Sequence, residues 1–149
     1  MTTLERERAD TRQAFEQLER LEELQQQLAP EVSDAQARNL AEAVRVALES
    51  IHPVRVPIAS ELLELDEKTV REWAREGVLT EAETTSPRKH LDPKRLHVVL
   101  HLVRDLRAAG KTRGLLDAVW WRLQDEALLY REDLAESLDQ MRRGEVAKL

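Results

Sequence analysis

Pro57, the pair Leu65-Asp66 and Gly77 cut the middle of the chain into two short segments, each with helical periodicity. In the first, Ile58, Ala59, Leu62 and Leu63 share one face. In the second, Val70, Trp73 and Ala74 do so. Proline is tolerated in the first turn of a helix, where its missing N–H has no partner to lose. Aspartate accepts hydrogen bonds from the free amides of a helix start, so Asp66 predicts the cap of a helix over Glu67–Arg75. Glycine takes the left-handed conformation that ends many helices, which suits Gly77. Helices this short are not stable alone. They must hold each other at a steep angle across a shared core, and that requirement constrains the fold more than any other feature of the chain.

The flanks are also helical in pattern. Residues 2–28 read as one polar helix with Leu4, Thr11, Leu18 and Gln25 seven apart, and with Ala14, Leu21 and Leu28 in the alternate seam. Phe15 and Leu24 flank this short heptad pattern, which fits pairing within the chain or between two copies. Pro30 stops it. Ser33 or Asp34 is placed to cap a second helix, with Leu40, Val44, Ala47, Leu48 and Ile51 as its apolar stripe and His52-Pro53 beyond. Val54-Arg55-Val56 is brief and β-branched. Residues 80–92 are polar and turn-prone, and Asp92-Pro93 predicts the start of a helix running to about Ala109 through Leu96, Val99, Leu100, Val103 and Leu106. Gly110 ends it. A further helix is expected from Thr112 or Gly114 to about Tyr130, burying Leu115, Leu116, Val119, Leu123 and Trp120.

Composition excludes several alternatives. Aromatic residues make up 3% of the 149 residues and charged ones 35%, with four glycines and five prolines, which suits helices and not a turn-rich sheet. The expected class is all-α, with a helical region at 1–52, a central module at 53–110 and C-terminal helices at 111–149. The absence of cysteine removes disulfides and thiolate metal sites. No apolar run reaches the ~18 residues of a membrane span, and the start MTTLERERAD is charged where a secretory signal would be apolar. The expectation is a cytoplasmic protein without a membrane association.

Net charge is −6, but it is unevenly distributed. Residues 1–50 carry six basic side chains against eleven acidic ones, and residues 51–108 carry ten of each. A neutral centre between acidic flanks suits a modest, specific contact with duplex DNA better than an electrostatic clamp. Within the second short helix, Lys68, Thr69, Arg71, Glu72 and Arg75 fall outside the apolar stripe, as a helix entering a major groove requires. Lysine and arginine read guanine edges or bind phosphate, and threonine contacts a base or a thymine methyl. Ser86, Arg88, Lys89 and His90 in the following loop, with Lys94 and Arg95 after it, are suited to phosphate or minor-groove contact.

The stretch VRVPIASELLELDEKTVREWAREGVL resembles the DNA-binding region of the MerR-like winged-helix superfamily, which includes excisionase-type proteins. RKHLDPKRLHVVLHLVRDLRAAG looks like its third helix. The resemblance covers about residues 54–110 and implies a winged helix-turn-helix in a transcriptional regulator acting on double-stranded DNA. A dimer is expected, because one small module rarely reaches useful specificity alone. Full MerR regulators start with this module and continue into a long dimerisation helix and an effector domain. Here some fifty residues precede it. The tail EDLAESLDQMRRGEVAKL is similar to the toxin-neutralising tails of bacterial antitoxins. That implies a second reading, an antitoxin that represses its own operon and binds a toxin through Leu134, Leu138, Met141, Val146 and Leu149. A third reading is a protein-protein adaptor in which the two short helices are scaffold.

No catalytic constellation, cofactor or metal site is expected. Gly110-Lys111-Thr112 echoes a phosphate-binding loop, but the glycine needed five positions earlier is Asp105. His97 and His101 share a helix face, with His90 as a conceivable third ligand, yet Val98, Val99 and Leu100 lie where a metalloprotease motif needs its glutamate. Carboxylates are interspersed with arginine and lysine at helical spacings, as in Glu64-Lys68, and surface pairing explains them. Trp73, Trp120 and Trp121 are expected to anchor core or interface, and two consecutive tryptophans cannot share one helix face.

Overall fold

The computed structural model describes residues 2–126. The chain is mainly helical and forms two compact units, Met1–Leu100 and His101–Leu149. In the first unit, α1 (Thr3–Leu28) and α2 (Asp34–Glu49) pack side by side. Each starts on a reciprocal cap: Thr2 with Glu5, and Ser33 with Gln36, exchange side-chain and backbone hydrogen bonds. No residue of α2 is fully buried. In α1 the buried positions are Phe15 and Leu18. Phe15, expected beside the heptad seam, is only 2% exposed and lies against the ring of His97 with centroids 6.3 Å apart. It belongs to the core of its own unit. His97 Nε2 in turn lies 3.1 Å from Glu22 Oε1.

The central segment folds as its punctuation predicts. A two-residue strand β1 (Val54–Arg55) leads into α3 (Val56–Leu63), followed by α4 (Glu67–Arg75). Asp66 caps α4 by accepting the Thr69 amide at 2.7 Å. Beyond α4, Gly77 has φ +83°, and the amides of Val78 and Leu79 return to the carbonyl of Trp73. The tight turn before α4 differs from expectation. Its left-handed residue is Glu64, with φ 54° and ψ 45°, not the Leu65-Asp66 pair. The Leu65 amide donates to the Ser60 carbonyl, and the Ser60 hydroxyl donates to the Leu65 carbonyl, so two bonds close the turn without a glycine.

Between α4 and α5 (Pro93–Ala108) the chain makes a hairpin. Asp92 donates to the Thr80 carbonyl at 2.8 Å, Ala82 donates to that of His90 at 2.9 Å, and Glu81 bridges Leu91. On its other side β2 (His90–Leu91) pairs antiparallel with β1, Val54 opposite Leu91 and Arg55 opposite His90. Alternation along a strand does the rest. Val54 and Leu91 are fully buried, and Arg55 and His90 take the outer face.

Leu63 of α3, Val70 and Trp73 of α4, Val78, Leu79 and Leu96 complete this core, none more than 3% exposed. Full burial of each such side chain stabilises by ~1.5–3 kcal/mol relative to exposure. The pairs that tie α1 to α3, from Arg8 and Arg12 to Glu61, are part-exposed and contribute at most ~1 kcal/mol each. Core packing therefore fixes the angle between α3 and α4.

In the second unit Leu102, Val103, Leu106, Leu115 and Val119 are buried. Gly110 and Gly114, both at positive φ, bracket the connection before helical residues 115–126. Trp120 is 40% exposed and Trp121 67%, so neither enters the core as Trp73 does. Among the described residues, no helix is long and apolar enough to cross a membrane.

Candidate nucleic-acid interface

On α4, Lys68, Arg71, Glu72 and Arg75 are exposed, on the side opposite buried Val70 and Trp73. Thr69 departs from this set. It is half-buried in the first turn, its amide is taken by Asp66, and its hydroxyl also engages that carboxylate. These two bonds, side chain first, hold the Asp66 carboxyl below its ordinary range. Thr69 thus builds the helix start and is poorly free to meet a base.

The hairpin loop brings a second set of cations to the same region. Arg88 and Lys89 are exposed, while His90 is half-buried with Nδ1 2.9 Å from the Arg88 carbonyl. Arg71 and the Arg88-Lys89 pair, far apart in sequence, line one depression of about 330 Å³ with Arg55, Val56 and Pro57. This juxtaposition rests on two local causes. The cap at Asp66 fixes which residues of α4 face out, and the Thr80–Asp92 and Ala82–His90 bonds fix where the loop emerges. Lys94 is exposed at the start of α5, within 3.9 Å of Glu49, and Arg95 is half-buried beside it; neither lines this depression.

The cations are weakly held. Arg71 lies 3.6 Å from Glu67 one turn away, and Lys89 lies 3.0 Å from Glu81. Exposed pairs of this kind are worth ~0.2–1 kcal/mol, less than a charge-assisted bond to phosphate. Arg75 and Arg88 make no ion pair among the described residues.

Comparison of the chain with protein-family models, with curated proteins and with solved structures finds no match. The chemistry of this surface has to be read from its own residues.

One residue of the depression, Arg55, was not singled out by sequence reasoning. It sits in a segment that reads only as brief and β-branched, and no spacing rule links it to Arg71 or Lys89. The ladder partnership with His90 is what brings it there. Leu134, Leu138, Met141, Val146 and Leu149, expected to bind a partner, lie outside the described residues.

Proposed function

We propose that this chain is a sequence-specific, duplex-DNA-binding transcriptional regulator in which α3 and α4 act as a helix-turn-helix and the 80–92 hairpin as its wing. A single observation carries the reading: Arg71 on the outer face of α4 and Arg88-Lys89 in the hairpin border one groove together with Arg55. A base-reading helix beside a phosphate-holding loop needs that arrangement. The groove is also bordered by the first residues of α3, a helix start with no side-chain cap, whose dipole adds positive potential. The net charge of −6 weighs against indiscriminate coating of nucleic acid and leaves room for a local, specific contact.

On this reading Arg71, Lys68 and Arg75 face base edges or adjacent phosphates, and Arg88 and Lys89 grip the backbone. The test is binding to an oligonucleotide selected from a random duplex pool. Arg71→Ala is expected to cost about 1–3 kcal/mol and to flatten preference at one position. Lys89→Ala is expected to weaken all sequences alike and to reduce the salt dependence by about one phosphate contact. If both variants bind the selected duplex like the wild type, this surface is not the interface.

A further inference from the structure

We propose that Arg55 is a further phosphate-binding side chain of this groove, and that Glu7 of α1 is its built-in competitor, so that DNA must displace a carboxylate of the protein's own first helix. The proposal rests on the DNA-binding reading above and concerns how that same surface is restrained.

Arg55 lines three depressions. One is the groove with Val56, Pro57, Arg71, Arg88 and Lys89. Another is a cleft of about 340 Å³ whose walls include Glu7, Asp10 and Thr11 of α1 together with His52, Ser86 and His90. The third is bordered by Glu7, Ser86 and Arg88 among others. The Arg55 side chain is 13% exposed, and Nη1 donates to Glu7 Oε2 at 3.2 Å. That is its one hydrogen bond among the described residues. A guanidinium offers five donors in a planar fork that matches two oxygens of a phosphate or carboxylate. One long bond to a part-exposed glutamate leaves most of that capacity unused.

The partial shielding of Arg55 matters for sign and size. Charges held away from water interact more strongly than those on an open surface, because the effective dielectric is lower. Glu7 therefore suppresses the field of a cation that borders the groove more effectively than Glu67 or Glu81 suppress theirs. A phosphate approaching Arg55 meets the Glu7 carboxylate beside it. Either Glu7 swings out, or it stays and repels the strand. Both cases weaken DNA binding relative to a chain with no charge at position 7.

The position of α1 is secured independently of this pair. Phe15 and Leu18 are buried, and Arg8 and Arg12 both engage Glu61 of α3. Neutralising Glu7 thus changes the electrostatics while the helix stays in place.

The test measures binding of a selected duplex to the full chain across a salt series, for wild type, Glu7→Gln, Asp10→Asn, Arg55→Gln and the Glu7→Gln/Arg55→Gln double variant. Asp10 lines the same cleft and carries the same charge without a bond to Arg55, so it controls for simple loss of negative charge. Glu7→Gln is expected to bind roughly three- to tenfold tighter at low salt, with a log–log salt slope steeper by about 0.9, the signature of one added phosphate contact. Asp10→Asn is expected to change affinity less than twofold. Arg55→Gln should cost more in the Glu7→Gln background than in the wild type, since only there is the guanidinium released. Thermal midpoints report folding in parallel, and Glu7→Ser serves in place of Glu7→Gln if the amide perturbs α1.

If Glu7→Gln binds no tighter than Asp10→Asn while the wild type binds well, the competitor role is overturned and the DNA-binding reading stands. If neither wild type nor Glu7→Gln binds any duplex at low salt, the DNA-binding reading fails and this proposal with it.

Discussion

Asp66 shows how much of the candidate interface depends on one carboxylate. It caps α4 through Thr69, and the bonds it accepts lower its pKa from the ordinary 3.8. A carboxyl lowered on folding contributes stability that is complete above its unfolded-state value and disappears as the pH falls through the folded one. Melting curves should therefore show a loss beginning below about pH 4 that is smaller in Asp66→Ala, with the Glu42 carboxyl, also lowered by Arg45, contributing the remainder, and the variant should be the less stable protein at neutral pH. An unchanged acid limb in the variant would remove Asp66 from this role. Gly77 closes the other end of α4 at φ +83°, where a β-branched side chain is strained. Gly77→Val is expected to destabilise by about 1–3 kcal/mol in denaturant titration. Glu64 occupies the left-handed region too, and no composition rule points to it. Its turn is closed by Ser60 and Leu65, a tertiary arrangement that outweighs the local preference for glycine.

At the scale of elements, punctuation proved more legible than partnership. Caps, prolines and glycines are local signals, and the helices begin and end within a residue or two of where Pro30, Ser33, Pro57, Asp66, Gly77 and Asp92-Pro93 put them. The packing of α1 was less legible, because a heptad pattern says that a face is apolar without saying what covers it. Phe15 and Leu18 turn out to be covered within the first unit, whereas Leu24 is 45% exposed and Leu21 and Leu28 are half-buried. Removing α1 would thus expose core side chains and cannot test self-association cleanly. Leu24→Glu can. If two copies associate through this end of the helical hairpin, the variant should sediment as a monomer with its thermal midpoint nearly unchanged. A wild type that is already monomeric would dismiss the idea. The candidate interface followed the same rule. Arg71 and Lys89 were readable as exposed cations from helix period and loop composition, but Arg55 joins them only through strand pairing, which single-residue patterns do not encode.

At the scale of the whole molecule, the length of α4 limits how much sequence it could read in the proposed DNA-binding role. Its nine residues rise ~13.5 Å, about the span of four base pairs at ~3.4 Å each. Four specified pairs recur by chance roughly every 256 positions, against the ~10⁶–10⁹ competing sites of a genome. One copy of this helix, however well its arginines fit, cannot give a unique address. A regulator built on it must add a second reading event. Two copies related by a two-fold axis would square the rarity of the site, and they would leave a mark that can be read without the protein. The duplexes selected from a random pool should carry inverted repeats with centres ~10 base pairs apart or a multiple of that. Selected sequences with one short motif and no partner repeat would mean that the chain relies on another protein to find its place.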